Sequence, residues 1–208
     1  LRFSMMVITA QGQDVFISYP SKKAKQKNDH NTFDIGRNFC NKIWNAARLL
    51  FSLAGGSIDA EVDIEQELAD QWIRSRYNRI ISDVTESLDA FRFNDAAHTL
   101  YDFIWHDFCD WYLEIIKPRV ARGGKEKTFV IRNASEILAG SMQLLHPVMP
   151  YITEEIWHKL SEFLGKDTGS IMVSDWPMVD SGAIDDTVDA RMEALQTLIG
   201  TIRTIRNE

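Results

Sequence analysis

Residues 34–50 read DIGRNFCNKIWNAARLL, and their spacing decides the fold class. At 100° per residue Ile35, Phe39, Ile43, Ala46, Ala47 and Leu50 share one face, the pattern of an amphipathic helix and not of a strand. Asp34 is a suitable N-cap, and Gly55-Gly56 supply a stop, so a helix is expected from about Asp34 to Leu53. The side away from the apolar face carries Arg37, Asn38, Asn41, Lys42, Asn45 and Arg48 in one contiguous sector, with no acid inside the helix body. Solvated helix faces usually mix signs, because opposite charges three or four residues apart pair. Arginine offers a planar fork for phosphates or guanine edges, and asparagine offers both a donor and an acceptor to unpaired bases. The alternative is that these asparagines bridge to neighbouring helices or loops, and pattern alone leaves the two explanations level.

Working outward, the same period recurs. A second helix is expected over about 65–91, with Leu68, Trp72, Ile80, Val84 and Leu88 as its stripe. A third starts at Asn94, a good N-cap, and runs to Lys117, where Pro118 should stop it. A fourth covers about 128–145, and a fifth begins after Pro150 and runs to about Leu164. From about Asp186 a last helix carries Val188, Met192, Leu195, Ile199 and Ile202 at heptad-like spacing. Polar or glycine-bearing connectors separate these elements, and the run Ile171–Trp176 reads as a strand or an extended segment. The expected fold is all-α, an antiparallel helical bundle with a short extended segment near 171–176.

Composition narrows the function. With 208 residues, 45% hydrophobic and 25% charged, the chain can build a sizeable core, which rules out wholesale disorder. No apolar run approaches the ~20 residues of a membrane span, and no secretory signal pattern opens the chain. Cys40 and Cys109 cannot make a disulfide framework, which fits a reducing, cytosol-like compartment. Leu1 at the start and an apolar seam still running at the end are what an excised piece of a longer protein would show.

The net charge of −7 argues against a generic nucleic-acid binder, but the average conceals a pattern. Residues 1–58 carry a net +5, residues 59–116 a net −10, residues 117–132 a net +5, and the remainder −7. Local fields decide what a surface attracts within the ~8 Å Debye length. Lys22, Lys23, Lys25 and Lys27 form a short basic loop able to contact phosphates, although such runs are more often simply solvated. The same holds for Lys117, Arg119, Arg122, Lys125, Lys127 and Arg132 around Gly123-Gly124.

On the third helix Asp95, His98, Asp102, His106, Cys109 and Asp110 share a stripe that could suggest a metal. One helix can supply two ligands, but without a paired motif such as HExxH a polar outer face is the better explanation, and no metal is expected. Its aromatic residues Tyr101, Phe103, Trp105, Phe108, Trp111 and Tyr112 are expected to pack in the core, although stacking platforms for bases have the same composition. No nucleophile elbow, GxxxxGK[ST] or GxGxxG occurs, so no self-contained catalytic site is expected.

Four stretches carry a resemblance: GRNFCNKIWNAARLL on the first helix, YDFIWHDFCDWYLEIIKPR on the third, LLHPVMPYITEEIWHKL at the fourth-to-fifth junction, and SIMVSDWP beyond it. Together they resemble the anticodon-binding region of valyl-tRNA synthetases. The opening LRFSMMVITAQGQDV is similar to the segment that follows the catalytic domain's signature loop in that family. HPVMPYITEEIW alone marks a class I synthetase of the Val/Ile/Leu type, and the combination with NKIWNAAR and DFCDWYLEIIKPR points to the valine enzyme.

The resemblance implies a helical bundle that grips the anticodon stem-loop of tRNA(Val), as part of a cytoplasmic, monomeric ligase. The full enzyme would use ATP, with Mg, to activate valine and esterify it to the tRNA. Neither a HIGH-like sequence nor a KMSKS loop is present here, so this chain is expected to be inactive alone and to need no cofactor. Residues 1–30 would close the catalytic and stem-contact region, 31–165 form the bundle, 166–185 a connector, and 186–208 a helix leading to a C-terminal extension. Arg37, Asn38, Asn41, Lys42, Asn45 and Arg48 carry over as RNA contacts, and Trp44 is expected to pack. Residues 19–33 depart from the family in being longer and more basic, which leaves Lys22, Lys23, Lys25 and Lys27 as additional phosphate contacts. The alternatives are the same domain of an isoleucyl or leucyl enzyme, a helical interaction scaffold without RNA, and a metal-dependent helical enzyme.

Overall fold

The first predicted helix is α2, Asp34–Ala54, and it buries Phe39, Ile43, Ala46, Ala47 and Leu50 as its spacing requires. Gly55 ends it in the left-handed region at φ 75°, with its amide donating to the Phe51 carbonyl. The computed structural model describes residues 1–9, 33–56, 62, 64–166 and 169–207, and among these no strand occurs. Besides α2 the elements are α1 (Arg2–Ile8), α3 (Leu68–Asp89), α4 (Phe93–Asp102), a π-helical segment (Phe103–Tyr112), α5 (Leu113–Arg122), α6 (Gly124–Leu145), α7 (Pro150–Phe163) and α8 (Asp186–Asn207). The all-α bundle expected from the sequence is therefore present. α6 sits at its centre, with Val130, Ile131, Ala134, Leu138, Met142 and Leu145 fully buried against α2, α3, α5 and α7.

Helix α1 is too short to show a period in the sequence. Its role is to seat the start of α2. The Gly36 amide donates to Ser4 Oγ at 3.2 Å, and a Cβ at Gly36 would lie 2.4 Å from that oxygen, so a larger residue there would displace the Ser4 hydroxyl from this crossing. Phe3 stacks on Phe39 with ring centroids 4.6 Å apart. Asn94, expected as the N-cap of its own helix, instead donates to the carbonyls of Met6 and Val7 at the end of α1. Its helix begins one residue earlier, at Phe93.

Helices α4 and α5 and the π segment between them make one unbroken helical rod, and two expectations fail along it. Buried Phe103 and Ile104 are followed by buried Phe108 and Cys109, a five-residue step that would rotate about 140° in an α-helix. Widening the turn to i→i+5 bonding returns both pairs to the core face. Pro118, expected as a stop, lies inside α5. Ile116, Arg119 and Val120 are all buried around it, so tertiary packing holds the last turn against the missing amide. Smaller shifts occur at other starts: α3 begins after Glu67, where Glu67 and Asp70 form a capping box, and α6 begins at Gly124.

The segment 171–176 opens as a 3₁₀ turn, Ile171–Val173, and continues as an irregular strap on α3. The Trp176 indole donates to Thr85 Oγ1, and the Asp180 amide donates to Asn78 Oδ1. α8 docks through Val188 and Met192, both buried, and through Arg79, which pairs with Asp186 and Asp189. Beyond that point Leu195 and Ile202 of the expected seam are exposed.

A buried polar network ties these helices together. Asp70, wholly buried, accepts from the Tyr112 hydroxyl at 3.0 Å and from Arg119 at 2.7 Å. Asn133 donates to the same hydroxyl at 2.6 Å, and Arg119 also donates to Glu126 at 2.9 Å. Burial, reinforced by the Asp70 carboxylate, holds the Tyr112 hydroxyl well above the ordinary phenol range, so it stays a donor at any working pH.

Two outcomes test this packing. Arg119→Met leaves the Asp70 carboxylate buried without its partner and should cost about 3–5 kcal/mol in urea unfolding. Arg122→Met, on the same helix but with a side chain 63% exposed, should cost less than about 1 kcal/mol; equal losses would contradict the keystone role of Arg119. Burial also pushes the Cys109 thiol up to about 12 and raises that of Cys40. A thiol reagent at pH 8 should leave Cys109 unmodified in the folded protein and react after denaturation.

Candidate nucleic-acid interface

Because the apolar face of α2 is turned onto α6, its opposite face is left to solvent. Arg37, Asn38, Asn41, Asn45 and Arg48 are all exposed there. Arg37 pairs with Asp34 at 3.1 Å, yet its side chain remains 68% exposed. Among the described residues no carboxylate lies within ion-pair distance of Arg48. Nor do the side chains of Asn38, Asn41 and Asn45 hydrogen-bond to any described residue. The bridging role that competed with a contact surface is therefore not what these asparagines do within the described part of the bundle. Trp44 is half-buried against the core, as expected.

Lys42 is the exception in the sector. Its ammonium pairs with Asp110 of the π segment and sits 5.1 Å above the Trp105 ring. Trp105 in turn stacks on Tyr101 at 5.2 Å, and Tyr101 lies 5.1 Å from Phe39. Lysine and tyrosine together occupy the ring, so Trp105 serves packing and not base stacking. The contact joins residues 63 to 68 positions apart in sequence, and no local signal announces it.

The remaining polar stripe of that rod is used within the bundle. His98 Nε2 lies 3.1 Å from the Val7 carbonyl, Asp95 pairs with Arg92 at 3.3 Å, and His106 Nδ1 lies 3.3 Å from Asp110. Among the described residues no group of three or more His, Cys, Asp or Glu could hold a metal ion. Four of the six cations of the basic segment 117–132 are drawn into pairs as well, while Lys125 and Lys127 meet no carboxylate within ion-pair distance among the described residues. Lys117 meets Glu114, Arg119 is buried on Asp70, Arg122 meets Glu126 and Arg132 meets Glu136. Lys22, Lys23, Lys25 and Lys27 lie outside the described residues.

What remains is a polar ridge: two arginines at its ends and three asparagines between them. Such a ridge can form bidentate contacts to phosphate or guanine and hydrogen bonds to unpaired base edges, with Asp34 beside Arg37 as the carboxylate a phosphate would compete with there. It carries no nucleophile and no acid–base pair.

Known proteins identify the family of the chain. Residues 70–208 match the family model described as the anticodon-binding domain of tRNA ligase. The whole chain aligns at 37% identity with a valine–tRNA ligase of Thermotoga maritima, at 36% with one of Acinetobacter baylyi and at 35% with one of Laribacter hongkongensis. It spans only 21–22% of the length of these curated relatives. A crystal structure of a ternary complex of Agrobacterium radiobacter K84 agnB2 LeuRS, tRNA and LeuAMS superimposes over 74% of this chain and 17% of that one, with a TM-score of 0.51. At 16% identity that likeness establishes the shared fold alone. The family match, covering well over half of the residues, places the chain among the anticodon-binding domains of tRNA ligases.

Proposed function

We propose that this chain is the anticodon-binding part of a cytoplasmic valine–tRNA ligase and that it holds the anticodon stem-loop of tRNA(Val) as a monomer. The observation that carries this reading is the exposed ridge Arg37–Asn38–Asn41–Asn45–Arg48 on a chain matched end to end by valine–tRNA ligases. In the complete enzyme the activation of valine with ATP and Mg falls to parts outside this sequence, and the bundle contributes position, not bond chemistry. Residues 1–30 would complete the junction with that catalytic part, 31–165 would meet the tRNA, 166–185 would act as a connector, and 186–208 would lead onward.

Within the ridge the roles divide by chemistry. Arg37 and Arg48 supply forks for phosphate or guanine, and Asn38, Asn41 and Asn45 read unpaired base edges. Lys42, tied to Asp110, acts by fixing α2 against the π segment and contributes its charge only at the edge of the ridge. Lys22, Lys23, Lys25 and Lys27 would add phosphate contacts that raise affinity without discrimination.

Binding is expected in the range of roughly 1–100 µM at physiological salt, because a single arm of the tRNA is held. A tRNA(Val) transcript should bind more tightly than the same transcript with a changed anticodon, and the preference should survive added salt. Arg48→Ala should cost about 1–3 kcal/mol of binding with unchanged helicity. Equal binding of both transcripts that collapses with salt would leave a merely basic surface. No binding even at low salt would favour a protein-interaction scaffold.

A further inference from the structure

Building on the RNA-binding reading above, we propose that the cleft between α1, the start of α2 and the start of α7 receives one unpaired nucleotide of the bound RNA. Tyr151 stacks on its base, and Arg2 and Arg37 hold its phosphate. The cleft measures about 520 Å³, a size suited to a small ligand or a nucleotide. Phe3, Val148, Met149 and Ile152 line it with apolar surface.

Tyr151 stands at this cleft 91% exposed, and among the described residues no other ring packs on it. A flat aromatic surface left in water beside an open apolar cleft is the arrangement that single-stranded nucleic acid uses for stacking. Among the described residues that line the cleft, the charged side chains are Arg2 and Arg37, and none is a carboxylate. Arg2 is steadied by donating to the Pro147 carbonyl at 3.1 Å, which places it at the α6–α7 junction beside Tyr151.

Continuity with the ridge selects an RNA occupant over a protein one. Arg37 belongs to both surfaces. At 100° per residue Arg37 and Arg48 lie within about 20° of each other on α2, whereas Lys42 is turned about 140° from Arg37. The two exposed guanidiniums therefore line up on the α7 side, Arg37 with Asp34 as its ion-pair partner. The other flank presents exposed Asp102 and Asp110, with Lys42 already consumed by Asp110. An incoming phosphate chain is repelled from that flank and guided along α2 toward the cleft.

The test uses fluorescence anisotropy with the tRNA(Val) transcript at two salt concentrations, on the wild-type protein and on Tyr151→Ala, Tyr151→Phe and Arg2→Gln. Loss of one stacked base should weaken Tyr151→Ala about fivefold or more, with its salt dependence unchanged, while Tyr151→Phe binds as the wild type does. Arg2→Gln should flatten the salt slope by about one unit. The exposed position of Tyr151 keeps folding out of the comparison, and thermal melts verify this. Wild-type affinity in Tyr151→Ala, or an equal loss in Tyr151→Phe, overturns the stacking site while leaving the RNA-binding reading intact. Absence of wild-type binding at low salt removes both. A dimer by sedimentation that Tyr151→Ala dissociates would assign the cleft to a second copy of the chain instead.

Discussion

The Asp70 carboxylate, out of reach of solvent, fixes the relation between three helices. It closes the capping box at the head of α3, accepts the Tyr112 hydroxyl from the end of the π segment and accepts the Arg119 guanidinium from α5. Asn133 adds α6 through the same hydroxyl. A buried charge must be matched by donors from several directions, and each donor here comes from a different element. The network thus sets the register of α3, the long rod and α6. α2 then packs its apolar face on the platform they make, and the ridge is the face that this packing leaves over.

An acidic chain can present such a ridge because charge is distributed by pairing. The cations of residues 117–132 are largely neutralised by carboxylates within hydrogen-bond reach, and Arg79 is used to dock α8. Exposed pairs of this kind add little stability, but they remove charge from the far field. On α2 the two arginines are left with one partner between them among the described residues, so a phosphate meets a local positive field despite the net −7. Neutral asparagines between them supply hydrogen-bond selectivity without raising the salt-dependent background.

Much of this was legible in the sequence wherever local period and local chemistry agree. The apolar face of α2, its end at Gly55, the entry to α7 at Pro150 and the span of α8 all follow from spacing and caps. The failures occur where tertiary packing overrides a local rule. Pro118 is carried through by buried Ile116, Arg119 and Val120, and Asn94 spends its side chain on α1 and not on its own helix. The π segment was hidden because a five-residue step in an apolar pattern reads as noise unless the winding changes. In the candidate site the exposed Arg and Asn positions follow from the helical wheel. The capture of Lys42 by Asp110 and Trp105 does not, since it joins elements far apart in sequence.

The central claim is that the outer face of α2 is the RNA-binding face, and side-chain amide resonances test it most directly. On titration with an anticodon stem-loop hairpin of tRNA(Val), the side-chain NH₂ signals of exposed Asn38, Asn41 and Asn45 should shift with saturation. Those of buried Asn78 and Asn133 should stay in place. The three ridge asparagines unmoved at saturation, with backbone amide shifts confined to α8 or to the acidic flank around Asp102 and Asp110, would contradict the account.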